Sequence, residues 1–327
     1  MPLIFRFKPI YKTVLWGGER IASYKGVDTG QPHVGESWEI SAVPGKESVV
    51  ADGPCAGMSI TSLIARYGAE LMGKKVNARF GGQFPLLVKL IDAQLDLSVQ
   101  VHPDDAMARR RHGCMGKNEM WYIIDTAPGA LIGAGLRRSV RPDEFADLVT
   151  KGEVMDVVAM HRSQPGDVFY LPAGRIHTIG SGNLLAEIQL SSDITYRVYD
   201  FGRRDADGRL RELHVDLACE ALDYRVHDDY VRHYDRSEPG PTPLVSTPEF
   251  DVSQVVVAGQ PVVLGDVDSF RVVMCVAGEA TLTAGTEQAR LRQGQTALVA
   301  AAAGKVSLAG EQATLLTAAV PADMESA

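Results

Sequence analysis

Short apolar segments separated by polar turns dominate the first half of the chain. The segment FPLLVKLIDAQ, residues 84–94, has the branched and apolar side chains of a buried strand. LSVQVHPDD follows at residues 97–105, and in it Gln100 and His102 are one residue apart. Because alternate residues of a strand point to the same face, this spacing predicts that an amide and an imidazole project side by side. Pro103 ends the ladder, and the aspartates after it are typical of a turn or a helix start.

Helical periodicity appears only in a few stretches of the chain. Elsewhere, strands of about five to eight residues alternate with turns rich in glycine, proline and aspartate, which predicts a β-sandwich or barrel. The predicted helices lie at 59–73 with Ser59 or Thr61 as N-cap, at 104–113 ending at Gly113, at 141–150 with Pro142 near the start, and at 211–224.

A polar, proline-rich stretch at residues 235–250, DRSEPGPTPLVSTPEF, divides the chain. Such composition is typical of a connection between domains. The pattern therefore predicts a first domain with helical insertions over residues 1–238, a linker over 239–247, and a second β domain over 248–327.

A weak internal repeat relates the two predicted domains. PGDVFYLPAGRIHTIG at 165–180 resembles QGQTALVAAAAGKVSL at 293–308, with Gly166 opposite Gly294 and His177 opposite Lys305. Only the first copy carries polar chemistry, which favours one active and one structural β unit.

Composition narrows the class of protein. The chain has 327 residues, of which 45% are hydrophobic and 23% charged, as in soluble globular proteins. A formal net charge of -8 disfavours nucleic acid or an acidic membrane as partner. There is no secretory signal and no apolar run that could span a bilayer, so we expect a cytoplasmic protein. The four cysteines form no CxxC pair, so a bound metal would have nitrogen and oxygen ligands.

Four polar residues are candidates for such a metal site. Gln100 and His102 share a strand face, Glu119 begins an apolar strand in GKNEMWYII, and His177 follows a tight turn in LPAGRIHTIG. Each residue alone is weak evidence for a metal site, because a single histidine on a strand is more often a structural, hydrogen-bonded group. Together they form a mixed nitrogen and oxygen set suited to zinc, or to manganese, iron or cobalt.

Several motifs resemble one family. GDVFYLPAGRIHT looks like the second cupin motif, whereas the first cupin motif departs from the usual pattern, with Gln100 in place of a histidine and Glu119 far beyond His102. With LSVQVHPDD, GKNEMWYII, GESWEIS and AEIQLSSDITYRVYDFGR, the sequence resembles the type I phosphomannose isomerases, in their shorter bacterial form. The resemblance spans most of the chain. It implies a mainly β fold of two cupin (jelly-roll) barrels, the second without a metal.

The resemblance also implies a reaction and a set of site residues. It implies one zinc ion per chain, held by Gln100, His102, Glu119 and His177, with other divalent metals as alternatives. The reaction would interconvert mannose 6-phosphate and fructose 6-phosphate through an enediol(ate). Arg197 matches the family's active-site arginine, and the positions that line its pocket fall on Ser98, Lys117 and Glu187.

The roles of these residues stay open at the sequence level. Glu187, Lys117 and a zinc-bound water are all candidates for the proton transfers. A phosphate requires cations, and Lys89 and Arg203 are candidates for that contact. Two other classes of function remain, an Fe(II) cupin oxidoreductase, which would consume oxygen, and a non-catalytic sugar-binding cupin, which would bind without turnover. The sequence gives no oligomeric state.

Overall fold

The computed structural model of the protein describes residues 1–204 and 207–322. The end of the predicted second domain, residues 323–327, therefore lies outside the described residues. The mainly β prediction is confirmed, because the longest helix in the described part, Pro142–Lys151, has ten residues and strands account for most of the regular structure. None of the helices in this part has the length and apolar character that crossing a bilayer requires.

The described strands run along the whole chain. In chain order, the first thirteen are β1 (Ile4–Lys8), β2 (Ile10–Gly18), β3 (Val34–Ile40), β4 (Val49–Val50), β5 (Leu86–Ala93), β6 (Val99–Val101), β7 (Glu119–Thr126), β8 (Leu131–Leu136), β9 (Val158–Arg162), β10 (Val168–Leu171), β11 (His177–Ile179), β12 (Asn183–Leu190) and β13 (Tyr196–Tyr199). The remaining ones are β14 (Gly240–Ser246), β15 (Asp251–Ala258), β16 (Val262–Leu264), β17 (Arg271–Ala284), β18 (Glu287–Arg292), β19 (Thr296–Val299), β20 (Val306–Ala309) and β21 (Gln312–Ala319).

Helices fill connections in the first two thirds of the chain. They are α1 (Arg20–Lys25), α2 (Ile60–Tyr67), α3 (Ala69–Met72), α4 (Lys74–Phe80), α5 (Asp105–His112), α6 (Pro142–Lys151) and α7 (Val215–Ala221).

Three of these helices begin where the sequence predicts. Ser59 caps α2 by accepting a hydrogen bond from the Ser62 backbone, and Asp104 caps α5 by accepting one from the Met107 backbone. Pro142 occupies the first turn of α6, where its missing N–H leaves no hydrogen bond unmade.

Hydrogen bonds join the described strands into three sheets. The six-stranded sheet has the order β10-β7-β12-β5-β2-β3, the five-stranded sheet the order β13-β6-β11-β8-β9, and the largest sheet contains β14 to β21 with β1 and β4. The predicted division into two barrels is not decided by this pairing and stays a prediction.

The six-stranded sheet is buried on both faces. On β5, Val88 and Leu90 belong to an apolar cluster that includes Val272 and Met274 of the largest sheet. Ile91 belongs to a second cluster, which includes residues of β8 and β11 in the five-stranded sheet. Since alternate residues face opposite sides, Lys89 lies on the same face as Ile91. Burial on both faces explains why β5 is mostly apolar, with Lys89 and Asp92 as its two charged residues.

Three features differ from the sequence prediction. The stretch predicted as a linker contains β14, an edge strand paired with β15, and its prolines are compatible with an edge position. The first strand of the chain, β1, pairs with β19, far away in sequence. The helix predicted over 211–224 is shortened to α7, because the His214 backbone N–H donates to the Arg197 carbonyl instead of continuing a helix. The domain boundaries themselves stay a prediction.

Candidate metal centre

The residues predicted to bind a metal come from two facing sheets. In the five-stranded sheet, Gln100 on β6 is the direct partner of His177 on β11, and His102 follows β6 immediately. Glu119 is the first residue of β7 in the six-stranded sheet. The ring of Trp121, two residues along β7, lies edge-on to His177 with centroids 5.3 Å apart. The site therefore lies between the two sheets.

Three of the four side chains converge on one point. The Nε2 atoms of His102 and His177 are 3.1 Å apart, His102 Nε2 is 3.5 Å from Glu119 Oε2, and His177 Nε2 is 3.2 Å from Glu119 Oε1. All three residues are at most 1% exposed. Tetrahedral zinc with bonds of about 2.0–2.2 Å holds neighbouring ligand atoms about 3.3–3.5 Å apart. The separations fit a single small metal ion.

Backbone carbonyls fix both imidazoles in the orientation that a metal requires. His102 Nδ1 lies 2.9 Å from the Ile194 carbonyl, and His177 Nδ1 lies 2.8 Å from the Arg175 carbonyl. An Nδ1–H that donates to a carbonyl leaves the lone pair on Nε2, which is the atom that faces the centre.

The protonation states also suit a metal. Burial lowers the pKa of His102 to about 3, with the charge of Lys117 acting in the same direction, and burial lowers the pKa of His177. Burial would raise the pKa of Glu119, but Lys117 and the two imidazoles outweigh it and hold that pKa well below its usual range. Neutral imidazoles and an ionised carboxylate are the forms that bind metals.

The carboxylate of Glu119 indicates a missing partner. Both of its oxygens are buried, and neither makes a hydrogen bond of good geometry to a described residue, although Lys117 Nζ lies 3.1 Å from Oε2. Leaving a buried charge without hydrogen bonds is costly. The chemistry of the three ligands and this unsatisfied carboxylate fit a divalent metal ion.

Gln100 completes the predicted set. Its Nε2 lies 3.2 Å from His177 Nε2. The oxygen and nitrogen of an amide exchange places when the group turns by half a rotation. The Gln100 oxygen can therefore take the position that Nε2 occupies, next to the other ligand atoms.

The turn before β11 places His177 against the end of β6. The Gly174 backbone N–H donates to the His102 carbonyl, and Gly174 has φ +85°, which favours glycine. A Cβ there would lie 2.9 Å from the Ala221 carbonyl oxygen. Asn118, next to Glu119, accepts a hydrogen bond from the Ala173 backbone, so the same turn is tied to β7.

Lys117 lies against the ligands. Its Nζ is 3.1 Å from Glu119 Oε2 and 3.2 Å from His102 Nε2, and the residue is 5% exposed. The structure therefore brings this predicted catalytic residue directly to the centre.

A row of paired residues crosses the six-stranded sheet beside the centre. Trp38 on β3 pairs with Lys89 on β5, Lys89 with Glu187 on β12, and Glu187 with Trp121 on β7. Glu187 accepts from Lys89 Nζ at 2.7 Å and from Trp121 Nε1 at 2.8 Å. The charges of Glu187 and Glu36 outweigh burial and raise the pKa of Lys89. Glu187 and Lys89 thus share one face with Glu119.

Arg197 and Ser98 lie on the opposite wall. Arg197 on β13 is the direct partner of Gln100, and Ser98 is buried two residues before Gln100. The Arg197 guanidinium donates to the Glu212 carbonyl at 3.0 Å, while its Nε is buried and makes no hydrogen bond to a described residue. Burial and the charge of Arg211 lower the pKa of Arg197.

Arg203 is engaged elsewhere. Its guanidinium bonds to the Asp200 carboxylate and to the Asp96 carbonyl, and Asp200 also pairs with Arg211. None of its described contacts is with a residue of the ligand cluster.

Sequence reasoning missed a polar group next to the row. Lys12 on β2 pairs with Glu36 on β3, and Glu36 shares a strand face with Trp38. Lys46 bonds to Asp193 at 3.0 Å near the same indole. The alternation of Glu36 and Trp38 in GESWE was the only local signal, because the register that joins β2, β3 and β5 is not visible in one segment.

A large cavity near these strands is a different feature. It has a volume of about 650 Å³ and is lined by the turns at 127–131 and 180–182, beyond the far ends of β7 and β11. Its lining contains none of the ligand residues. The metal chemistry therefore lies at the other end of these strands.

Comparison with known proteins identifies the family. Residues 4–127 match the model of the phosphomannose isomerase type I catalytic domain, and residues 242–319 match that of the mannose-6-phosphate isomerase cupin domain. Mannose-6-phosphate isomerase ManA of Bacillus subtilis is 33% identical over 93% of this chain and 95% of its own length. Mannose-6-phosphate isomerase of Streptococcus mutans is 37% identical over 86% of this chain and 87% of its own.

A solved structure agrees with these relatives. The crystal structure of mannose 6-phosphate isomerase from Bacillus subtilis superposes with a TM-score of 0.86 at 30% identity, covering 97% of this chain and 99% of that one. A putative mannosephosphate isomerase from Archaeoglobus fulgidus, 23% identical with a TM-score of 0.81, shares the fold. The resemblance seen in the sequence motifs is confirmed, and the chain belongs to the type I phosphomannose isomerase family.

Proposed function

We propose that this chain is a metal-dependent aldose–ketose isomerase that interconverts mannose 6-phosphate and fructose 6-phosphate through an enediol(ate) intermediate. The observation that carries the proposal is the buried cluster of His102, Glu119 and His177 in a member of this family. The Bacillus subtilis and Streptococcus mutans relatives carry the name of that activity.

We propose zinc as the metal, one ion per chain, held by His102, Glu119, His177 and the Gln100 amide oxygen. The ligand separations favour a tetrahedral site, although manganese, iron and cobalt accept the same donors. When bound, the metal supplies a Lewis acid that stabilises negative charge developing on the substrate oxygens.

Two side chains can move the protons. Isomerisation removes a proton from C2 of the aldose and adds one at C1, while a proton moves from the C2 hydroxyl to the C1 oxygen. Lys117 lies beside the ligands, so we assign it the transfer at the oxygens. Glu187 lies further along the row, and Lys89 and Trp121 orient its carboxylate. We assign Glu187 the transfer of the carbon-bound proton, which leaves C2 and is added at C1.

The remaining predicted residues bind the substrate. Arg197 carries a fixed charge with an unsatisfied Nε, which supports a contact with the developing enediolate. Ser98, on the Gln100 face, is proposed to contact a sugar hydroxyl. Lys89 and Arg203 remain candidates for the phosphate, although both cations already have carboxylate partners.

We also propose a cytoplasmic location. All four cysteines are free, including the intermediate-exposure Cys114 and Cys219, which is typical of a reducing compartment. The division into a site-bearing first domain and a second domain from about residue 248 belongs to the same proposal.

The test is turnover of mannose 6-phosphate by zinc-loaded protein, followed by nuclear magnetic resonance in D₂O. The proposal predicts fructose 6-phosphate carrying solvent deuterium at C1. Binding of the sugar phosphate without turnover would point to the non-catalytic cupin instead. Oxygen consumption coupled to substrate loss would point to the oxidoreductase.

A further inference from the structure

Three lysines surround one buried indole beside the candidate centre. Trp38 is fully buried, and the Nζ atoms of Lys12, Lys46 and Lys89 lie 3.2, 5.2 and 5.3 Å from the centroid of its ring. Three ammonium groups so close together repel one another unless anions compensate them. We call these three residues the lysine group.

Only two members of the lysine group have a hydrogen-bonded carboxylate. Lys89 bonds to Glu187 at 2.7 Å and Lys46 to Asp193 at 3.0 Å. The nearest carboxylate oxygen to Lys12 Nζ is Glu36 Oε2 at 3.9 Å, and that oxygen already accepts from Trp38 Nε1. Among the described residues, Lys12 Nζ has no hydrogen-bond acceptor.

The lysine group leads from solvent to the ligands. The side chain of Lys46 is 42% exposed, that of Lys12 is 23% and that of Lys89 is 6%. Beyond Lys89, Glu187 and Trp121 continue the row to His177. Asp193, which pairs with Lys46, precedes Ile194, whose carbonyl orients His102. A substrate whose reacting carbons meet the ligands would therefore extend past the lysine group.

The proposed substrate has an anion at the matching place. Its reacting carbons are C1 and C2, whereas the phosphate is on C6, at the other end of the sugar. Arg203 is saturated by Asp200 and a backbone carbonyl, and Lys89 is committed to Glu187. Lys12 is half-buried, cationic and without such a partner.

We propose that Lys12 binds the phosphate of the sugar phosphate and thereby selects phosphorylated over free sugars. The inference rests on the proposed function, because it takes the reacting carbons to lie at the metal ligands. Lys12 Nζ lies over the Trp38 ring, which holds the ammonium group in place, and the phosphate supplies the missing hydrogen-bond acceptor.

The charge of Lys12 is sensitive to pH near neutrality, which provides a second readout. Burial lowers the pKa of Lys12 to about 8, with Lys46 and Lys89 acting in the same direction and Glu36 and Asp193 opposing it. As pH rises through that value Lys12 loses its charge, so affinity for the phosphate falls. Arginine keeps its charge throughout this range.

The experiment measures binding of mannose 6-phosphate and of mannose to zinc-loaded Lys12→Met, Lys12→Arg and wild-type protein by calorimetry. The control variant is Lys8→Met, which changes an exposed lysine on β1, the preceding strand of the chain, which pairs with β4 and β19. Methionine keeps the aliphatic cover on Trp38 without the charge. We expect Lys12→Met to bind mannose 6-phosphate about tenfold or more weakly, with unchanged binding of mannose, zinc content and melting temperature. Lys12→Arg should keep the affinity and remove its decline between pH 7 and 9.

Undiminished affinity of Lys12→Met for mannose 6-phosphate would overturn the inference. Equal weakening for mannose and mannose 6-phosphate would overturn it as well, because a merely structural role affects both ligands alike. Calorimetry detects binding whether or not the sugar phosphate is converted, so a failure of the proposed reaction is seen separately in the activity assay. Where turnover is present, a raised KM with kcat within about twofold marks uniform binding of the phosphate.

Discussion

The interior between the five- and six-stranded sheets differs sharply from the interior of the second β region, residues 240–322. Between the five- and six-stranded sheets, the buried residues include Lys89, Lys117, Glu119, His102 and His177. In the second region the corresponding cluster is apolar, with Val255, Val257, Leu282, Leu308 and Leu315 as typical members. Burying charges costs several kcal/mol per ion before pairing. The buried polar residues described in the second region, Gln254, Ser269, Thr296 and Thr317, carry no charge. Charged groups gathered in one interior are therefore the mark of a function, not of the fold.

The backbone frames of the two regions are nevertheless alike. Gly166 and Gly294 both have positive φ, and β10 and β19 each begin two residues later and run for four residues. His177 opens β11 and is buried, whereas its counterpart Lys305 is exposed just before β20. The same strand–turn–strand unit supports a metal ligand in one copy and a surface lysine in the other.

Alanine substitutions at the two aligned positions, His177 and Lys305, should give the largest contrast between the regions. His177→Ala removes one of the metal ligands, so we expect loss of bound metal and a fall in kcat of about thousandfold or more. Lys305→Ala should leave both unchanged. Atomic emission spectroscopy and the isomerase assay measure the two quantities, and full metal content in His177→Ala would contradict the ligand assignment.

A buried and an exposed ion pair provide the next contrast. Glu187→Gln leaves Lys89 buried without its counterion, so the free energy of unfolding should fall by about 3–5 kcal/mol. The proposed proton transfer would fall by about 10²–10⁴-fold. Glu279 pairs with Arg290 and Arg292 on the surface of the second region, and Glu279→Gln should change neither quantity measurably. Denaturant unfolding measures the change in the free energy of unfolding, and the isomerase assay measures the change in kcat. Normal turnover in Glu187→Gln would remove it from the mechanism.

Two half-buried arginines sharpen the comparison further. Arg197 and Arg271 each have a buried Nε without a hydrogen-bond partner among the described residues, and burial lowers the pKa of both. Arg197→Ala should keep metal but lower kcat by about 10²–10³-fold, whereas Arg271→Ala should keep full kcat. Equal kcat values in these two variants would contradict a catalytic role for Arg197.

The smallest expected effect is the pH dependence of the metal-free protein. The pKa of His102 is lowered to about 3 and that of His177 is also lowered, so the folded state binds fewer protons than the unfolded state below pH 6.5. The resulting stability is present above that pH and is lost as pH falls toward 3. Urea unfolding of chelated protein at pH 5 and pH 7 should show the loss, and His102→Asn should reduce it. The second region, residues 240–322, contains no histidine and contributes nothing to this term.

Local signals in the sequence were sufficient for part of this account. Ser59, Asp104 and Pro142 mark helix starts through their own chemistry, and the spacing of Gln100 and His102 places them on one face. The family motifs supplied the rest of the ligand set. The convergence of His102, Glu119 and His177 then follows from strands that meet across two sheets.

Features that depend on distant pairing were not visible. β14 is a strand because β15 offers it an edge, although its own prolines predict a linker. The segment before α7 is held by Arg197, whose backbone exchanges hydrogen bonds with His214. Lys12 reaches the site only through the register of β2 with β3, which no single segment encodes.

Chelation followed by zinc restoration tests the central claim most directly. Purified protein should convert mannose 6-phosphate to fructose 6-phosphate, lose that activity when a chelator removes the metal, and regain it with one equivalent of zinc per chain. Undiminished turnover in protein shown by emission spectroscopy to be metal-free would contradict the assignment of His102, Glu119 and His177 as a catalytic metal centre.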